Sequence, residues 1–356
     1  MKYTVSVIIP VYNMEAYLDQ CLETVFEQTL EGIEVLCVDD GSMDGSAQIL
    51  KSWRQKYPDR MQVIRQENSG AAAARNRGID AAQGEYVIFM DPDDYYPDAQ
   101  VLSDLYTAAK KNGALIAGGS FAEIRGEEIV TEFEESIGGY TFDRDGMMTY
   151  REYQFDFGYH RFIYHTQLLR EKGIRFPLYT YYEDPPFFAA AMIAAGEFYA
   201  LKRLTYCYRY GYKAYDWTPR RAMDMLRGMR DLLETSKAHG LDRLHRTTVA
   251  RLEANGYAPF MQNIMQGDMA LLAALVDASK TVVGEWMGLE EGESYWFWQL
   301  RLLAERALQT TEAQREARQA KREVKAVYDS RTYRFGNAVL ALPKRVYALV
   351  KRFIKK

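Results

Sequence analysis

The sequence predicts an α/β fold with a mostly parallel central sheet that is covered by helices on both faces. Short apolar segments, which predict strands, cover residues 5–9, 33–38, 61–64 and 86–90. Between them lie segments of helical character, at residues 16–28, 46–57 and 71–82. Strands and helices that alternate at this spacing are typical of crossover units in a parallel sheet.

Polar residues follow three of the predicted strands directly. They are Tyr12 and Asn13 after the first strand, Asp39 and Asp40 after the second, and Asp91, Asp93 and Asp94 after the fourth. In parallel sheets, ligands collect at the carboxyl ends of the strands. We therefore expect these residues to form one binding edge.

The rest of the chain divides by its pattern. Residues 115–210 mix short strands, turns and many aromatic side chains, and residues 220–308 have helical periodicity. We predict a catalytic domain at 1–218, with a nucleotide-binding half at 1–110 and an acceptor half at 111–218. A helical subdomain at 219–310 and a basic helical tail at 311–356 follow.

Composition indicates an ordinary globular protein of 356 residues, with 48% hydrophobic and 26% charged residues. Its cysteines, Cys21, Cys37 and Cys207, are odd in number and far apart, which argues against a disulfide framework or a structural zinc site. The N-terminal residues lack a signal-peptide pattern, and no apolar run reaches the roughly 18 residues of a spanning helix. These features favour a cytoplasmic protein.

The C-terminal segment is strongly basic. Residues 315–356 carry thirteen basic and three acidic side chains, although the whole chain has a formal net charge of −4. On a helical wheel, residues 338–356 place apolar side chains on one face and lysines and arginines on the other. We favour an in-plane helix on an anionic membrane over a helix docked on its own protein. Nucleic acid ranks third, because no known binding module is present. The oligomeric state stays open.

The cluster Asp91-Pro92-Asp93-Asp94 concentrates carboxylates at the predicted edge. Such carboxylates repel one another unless a cation is present, and hard oxygen ligands suit Mg²⁺ or Mn²⁺. The alternative is a solvated acidic turn that opens a helix.

Segment 38–46 resembles the opening of a calcium loop, but Lys51 stands where that loop needs a bidentate Glu. The Asp40 carboxylate can instead accept from a base N–H such as that of uracil. Segment 68–78 combines small residues with Arg75 and Arg77, which can pair with phosphate or carboxylate. A tightly packed alanine-rich helix would look the same.

Glu183 and Asp184 stand among aromatic residues just before a helical run. An acid in a partly desolvated setting can act as a general base. Asp184 before Pro185 is also a plausible helix N-cap, and the two roles are compatible.

Five motifs in this order resemble those of the family 2 glycosyltransferases, bacterial cell-surface glycan enzymes among them. They are segment 5–13, segment 38–42, Ala74-Arg75-Asn76, Asp91-Pro92-Asp93-Asp94 and Glu183-Asp184. The resemblance spans residues 3–210. It implies a GT-A fold, a UDP-sugar or similar nucleotide-sugar donor, a divalent cation such as Mn²⁺ or Mg²⁺, and inversion at the anomeric carbon.

For the nucleoside, the resemblance implies that Pro10, Val11 and Tyr12 line the pocket, with Tyr12 close to uracil. Asp40 would accept from the uracil ring, and Arg75 would lie close to it.

For the chemistry, the resemblance implies that Asp91 contacts ribose or sugar. Asp93, with Asp94 assisting, would hold the metal. Asp184 would be the general base that takes the acceptor proton, with Glu183 as the second choice.

Two departures from the family pattern concern the acceptor and the diphosphate. Segment 159–164 replaces a Trp-x-Lys-x-Tyr stretch, and Arg161 stands in the place of the lysine. The loop after the last core strand has no histidine, so we expect Arg209, Tyr212 or Lys213 to serve the diphosphate.

The sequence thus predicts an inverting hexosyltransferase of polysaccharide biosynthesis. It would be peripheral on the inner face of the cell membrane, with a glycan or lipid-linked acceptor. A sugar nucleotidyltransferase would need a Gly-rich phosphate loop after the first strand, and segment 10–13 is not one. The other alternative is a catalytically silent nucleotide- or glycan-binding module on the membrane.

Overall fold

The structure of the chain is a computed structural model, and it describes residues 2–133, 140–211, 217–254, 260, 263 and 268–279. The predicted tail at 311–356 lies outside these residues, as do residues 255–259, 261–262, 264–267 and 280–310 of the predicted helical subdomain. The described residues form two units. The first runs to Gly211 and includes Glu234–Leu244, and the second comprises Trp217–Leu233 and the described residues from His245 onward.

The N-terminal half of the first unit is a parallel sheet crossed by helices. Its strands and helices are β1 (Tyr3–Val11), α1 (Leu18–Phe26), β2 (Ile33–Asp39), α2 (Ser46–Lys56), β3 (Met61–Arg65), α3 (Ala71–Ala81) and β4 (Gly84–Phe89). All seven residues of β2 are buried, because helices cover both faces of the sheet. The predicted strands and helices of this half are therefore confirmed.

The second half adds antiparallel strands to the same sheet. Its elements are α4 (Val101–Asn112), β5 (Ile116–Arg125), β6 (Glu128–Val130), β7 (Gly146–Thr149), α5 (Tyr150–Tyr153), a 3-10 turn (Tyr159–Arg161), β8 (Phe162–His165), α6 (Thr166–Glu171), α7 (Asp184–Ala195) and β9 (Glu197–Arg209). The strand order is β3-β2-β1-β4-β8-β5-β9-β7, and β6 pairs with β5. Strands β1 to β4 are parallel, whereas β8 is antiparallel to β4 and β5.

Helix α3 lies unusually close to the sheet. A Cβ atom on Gly78 would stand 2.3 Å from Cγ2 of Ile8 in β1, which is far inside van der Waals contact. Only glycine permits this approach, so the small residues of segment 68–78 do serve tight packing. The same close approach brings the polar side chains of α3 to the binding edge.

The described C-terminal region is helical, as expected, with α8 (Pro219–His239), α9 (Asp242–Ala254) and α10 (Met269–Ser279). Within the part of the chain that the structure describes, no helix has the length and apolar character needed to cross a membrane.

Candidate active site

The predicted nucleoside side of the edge is formed by the ends of β1 and β2. Pro10 and Val11 are buried in β1, and the Tyr12 side chain that follows them is 40% exposed. Asn13 ties the two loops together, because its N–H donates to Oγ of Ser42 (3.2 Å) and its Oδ1 accepts from the N–H of Met43 (2.8 Å). Tyr12 is thus an exposed residue at an edge whose two loops are joined by hydrogen bonds.

Asp40 organises the loop before α3. Its Oδ1 accepts from Nε2 of Gln66 and from the N–H of Ser69, and its Oδ2 accepts from the N–H of Gly70, each at 2.8 Å. The residue is only 3% exposed. The structure therefore gives this carboxylate three donors from the protein, which hold the α3 entry loop against the end of β2.

The acidic cluster forms a turn that is held from β9. The N–H of Asp91 donates to the Tyr206 hydroxyl (3.1 Å), which donates in turn to Oδ2 of Asp94 (2.8 Å). The other oxygen of Asp94 accepts from the N–H of Arg209 (2.8 Å). Burial raises the pKa of the Asp94 carboxyl well above its ordinary value, and the negative charges of Asp93 and Asp91 add to this effect. Both oxygens of the Asp94 carboxyl group are therefore used in hydrogen bonds within the protein.

Arg209 is the described residue among the three expected at the diphosphate, since Tyr212 and Lys213 lie outside the described residues. Its Nε donates to the carbonyl oxygen of Asp93 (2.8 Å), and its Nη2 donates to Oε1 of Gln20 (2.7 Å). The guanidinium also lies 4.9 Å from the ring centre of Tyr17. A fixed positive charge therefore stands beside the acidic turn.

The acidic turn provides only some of the ligands that a divalent cation needs. In the described ranges, no three His, Cys, Asp or Glu side chains stand together in a way that could hold a metal ion. Both oxygens of Asp94 already accept hydrogen bonds. Of the two predicted metal ligands, Asp93 is therefore the better candidate to bind a cation. One carboxylate fits a cation that takes its other ligands from diphosphate oxygens and water.

Arg75 lies between the two acidic motifs. Its Nη2 donates to Oδ1 of Asp91 (2.8 Å), and its Nη1 donates to Oε1 of Glu183 (2.7 Å). The guanidinium packs against two neighbouring aromatic rings, 5.2 Å from the centre of Tyr159 and 5.3 Å from that of Phe176. Arg75 is 6% exposed. The arginine that the resemblance assigns to the uracil pocket therefore bridges Asp91 and Glu183.

Asp184 opens α7, directly after Tyr182 and Glu183. Tyr182 has φ of 67°, which is a strained conformation for a bulky residue. Within the described part of the chain, no other residue donates a hydrogen bond to the Asp184 carboxylate, which accepts from its own N–H. Burial raises the pKa of this carboxyl well above its ordinary value, Glu183 raises it further, and Arg75 opposes both. Asp184 is the acid of this pair that is not held in an ion pair.

Segment 159–164 splits between the site and the interior. The Tyr159 hydroxyl donates to Oδ1 of Asp91 (3.1 Å), so this residue belongs to the site. Arg161 is fully buried and donates to the carbonyl oxygens of Gly119 and Tyr140 and to the Tyr153 hydroxyl. Its place in the motif had suggested an acceptor contact, but the structure gives it an internal packing role.

Three residues of this arrangement were not identified from the sequence as site residues. Tyr159 and Tyr206 hold the acidic turn, and Asn76 binds the backbone of Phe176 through two hydrogen bonds. Asn76 belongs to the Ala74-Arg75-Asn76 motif, but the motif itself does not indicate this contact. No sequence pattern singles out the two tyrosines, because the chain contains 27 of them.

Comparisons with known proteins bear on the family and the fold. The sequence model of "Glycosyl transferase family 2" matches residues 6–174. EpsH of Bacillus subtilis (strain 168), whose name includes the word glycosyltransferase, is 37% identical over 148 residues, which are 42% of this chain and 39% of EpsH. The poly(ribitol-phosphate) beta-glucosyltransferase of Bacillus spizizenii is 34% identical over 177 residues, or 49% of this chain and 27% of the relative. The alignments thus span less than half of these relatives' own length.

Among solved structures, TarS 1-349 of S. aureus in complex with UDP-GlcNAc has a TM-score of 0.68 at 22% identity. The match covers 88% of this chain and 92% of that one. This likeness confirms the predicted GT-A fold. The family model that matches residues 6–174 confirms the family that the sequence motifs predict.

Proposed function

We propose that the chain is an inverting glycosyltransferase that moves a sugar from a UDP-sugar to a hydroxyl group of a glycan or lipid-linked acceptor. The observation that carries the proposal is the contrast between the two acids at the start of α7, Glu183 and Asp184. Glu183 forms an ion pair with Arg75 at 2.7 Å, whereas no other described residue donates a hydrogen bond to Asp184. Only the Asp184 carboxylate is thus free of an ion pair and available to take a proton.

In the proposed reaction, Asp184 is the general base. Its carboxylate takes the proton from the acceptor hydroxyl as that oxygen bonds to the anomeric carbon of the donor. The bond from this carbon to the diphosphate breaks in the same displacement, and UDP leaves on the opposite side. The configuration at the anomeric carbon is inverted, and no covalent enzyme intermediate forms.

On the donor side, Tyr12 is proposed to contact the base, with Pro10, Val11 and Asp40 behind it. Asp91 is proposed to bind ribose or sugar, and Arg209 the diphosphate. Asp93 would hold Mn²⁺ or Mg²⁺, which when bound supplies Lewis-acid assistance to the leaving group. The UDP-GlcNAc complex of TarS supports a UDP-sugar donor, and manganese accompanies GDP-Man in the more distant mannosyltransferase PcManGT of Pyrobaculum calidifontis.

The acceptor and location are proposed from sequence and relatives together. The poly(ribitol-phosphate) beta-glucosyltransferase among the relatives supports a role in surface polysaccharide synthesis. The basic segment 338–356, which lies outside the described residues, is proposed to attach the enzyme to the inner face of an anionic membrane. The glycosyltransferases among the relatives support an enzyme over the catalytically silent module.

The experiment compares Asp184→Asn with Glu183→Gln and the unchanged protein. Calorimetry measures UDP, GDP and CMP binding with Mn²⁺, Mg²⁺ or EDTA, and a panel of UDP-sugars is tested for transfer. Asp184→Asn should bind UDP normally and lose about 10²- to 10⁴-fold in kcat, the usual contribution of a general base. Full transfer by this variant, or no nucleotide binding by the unchanged protein, contradicts the proposal.

A further inference from the structure

Two neighbouring residues of α3, Arg75 and Asn76, form hydrogen bonds to the loop that leads to Asp184. The loop comprises residues 172–183, between α6 and α7. At its end, Arg75 bonds to Glu183; nearer its start, Nδ2 of Asn76 donates to the carbonyl oxygen of Phe176 (2.8 Å). The N–H of Phe176 donates back to Oδ1 of Asn76 (2.9 Å). One turn of helix thus holds the loop at two points.

The grip continues into α7. The ring of Phe176 stacks on that of Phe187 in the first turn of α7, with centroids 3.8 Å apart and planes 8° apart. Asn76 therefore acts on the α7 N-terminus through one aromatic pair, and Arg75 acts on it through Glu183. The two routes thus end at Phe187 and Glu183, which lie on either side of Asp184 in the chain.

Helix α3 is a firm support for this grip. Its Gly78 is seated on Ile8 of β1, and Nη2 of Arg170 donates to the carbonyl oxygens of Ile79 and Ala82 at its C-terminal end. Arg175, within the loop, bonds to Asp80 of α3 (2.8 Å). The loop is therefore held, through α3, in a fixed position relative to the parallel sheet, and Asp91 follows strand β4 of the same sheet.

We propose that Arg75 and Asn76 are positioning residues which fix Asp184 relative to the donor site by clamping the 172–183 loop to α3. This inference rests on the proposed function for its kinetic consequence only. Arg75 bonds to Asp91 at the donor edge and to Glu183 next to the proposed base. Its two terminal nitrogens therefore set the distance between the donor site and Asp184. A lysine cannot bond to both carboxylates in this fork geometry.

The first arm of the test measures the clamp without activity. Asn76→Ala removes both hydrogen bonds to Phe176, and amide hydrogen exchange at Phe176 is followed by mass spectrometry. We expect exchange about tenfold faster, because two hydrogen bonds are lost. Asn76→Asp keeps the acceptor and loses the donor, so it should fall in between. Asn112→Ala, which removes one bond to the carbonyl oxygen of Ala108 in α4, is the matched control and should leave Phe176 unchanged.

The second arm measures transfer. Asn76→Ala should lower kcat about 10- to 100-fold while the Kd for UDP stays within about twofold, since misplacement of a reacting group costs rate more than binding. Glu183→Gln, which can still accept from Arg75, should retain more kcat than Glu183→Ala.

The outcomes separate the two claims. Unchanged Phe176 exchange in Asn76→Ala overturns the clamp, whatever the activity. Faster exchange with unchanged kcat overturns the positioning role. Faster exchange in a protein that transfers no sugar from any UDP donor leaves the clamp in place and removes the proposed function.

Discussion

The hydroxyl of Tyr206 donates to Oδ2 of Asp94 at 2.8 Å and accepts from the N–H of Asp91 at 3.1 Å. One oxygen atom on β9 thus joins both ends of the acidic turn. The Tyr206 side chain is fully buried, so water does not replace it easily.

Tyr206→Phe should lower the free energy of unfolding by about 1–3 kcal/mol, because two buried polar groups lose their partner. It should also weaken UDP binding, since the loosened turn carries the residues proposed to bind the donor. Urea unfolding and calorimetry measure the two effects. Tyr86→Phe is the control: it removes a buried bond to the carbonyl oxygen of Ala114, away from the site, and should destabilise without changing UDP affinity. Equal UDP affinity in both variants would contradict this role of Tyr206.

The transfer rate should depend on pH through Asp184. A base works only when ionised, and burial and Glu183 raise the pKa of this carboxyl well above 3.8. The groups that face it are Glu183 and Asp91, which raise its pKa, and Arg75, which lowers it; the hydroxyls of Tyr159 and Tyr164 are also near. We expect kcat to fall as pH decreases, with a midpoint well above 3.8.

Glu183→Gln tests the cause of this shift. It removes a neighbouring negative charge, so the acidic limb should move to lower pH. The measurement is kcat against pH at constant ionic strength in the two proteins. A limb that stays in place, or moves to higher pH, shows that another group titrates.

Much of the fold could be predicted from the sequence because its signals are local. Segments that are mostly apolar, such as Ile33–Asp39, predict buried parallel strands without knowledge of their neighbours. The acidic cluster and Glu183–Asp184 were also found locally, since unusual groups of carboxylates stand out in any sequence.

The contacts among site residues could not be predicted in this way. Arg75 and Glu183 are 108 positions apart, and Arg209 and Asp94 are 115 apart. Their pairing depends on the order of strands in the sheet, which motifs do not contain. Arg161 shows the same limit. Only His160 stands between Tyr159, which contacts the site, and Arg161, which bonds to the protein interior. The 3-10 turn at Tyr159–Arg161 points successive side chains in different directions, so neighbours in sequence have different surroundings.

Arg161 is expected to be a stability residue. Arg161→Met leaves two carbonyl oxygens and a tyrosine hydroxyl without a buried donor, so the free energy of unfolding should fall by about 3 kcal/mol. Arg170→Met is the matched control, because Arg170 also donates to backbone carbonyl oxygens but is exposed. It should cost less than about 1 kcal/mol. Urea unfolding measures both, and equal losses would refute the internal role of Arg161.

Asp184 is expected to lower the stability of the folded protein at neutral pH. Its pKa in the folded protein is raised above the ordinary value of 3.8. The favourable contribution of the protonated acid is therefore full below the unfolded pKa and is lost as pH rises through the folded pKa. At neutral pH the ionised carboxylate then destabilises the fold, so Asp184→Asn should unfold at a higher urea concentration than the unchanged protein. At a pH below 3.8 the difference should shrink, because both side chains are then neutral. The N-cap position of α7 is held by Glu183, without a side-chain cap hydrogen bond, so the sequence-based assignment of Asp184 as the N-cap is wrong. Lower stability of Asp184→Asn at neutral pH would mean that the helix N-terminus stabilises the Asp184 carboxylate more than burial destabilises it.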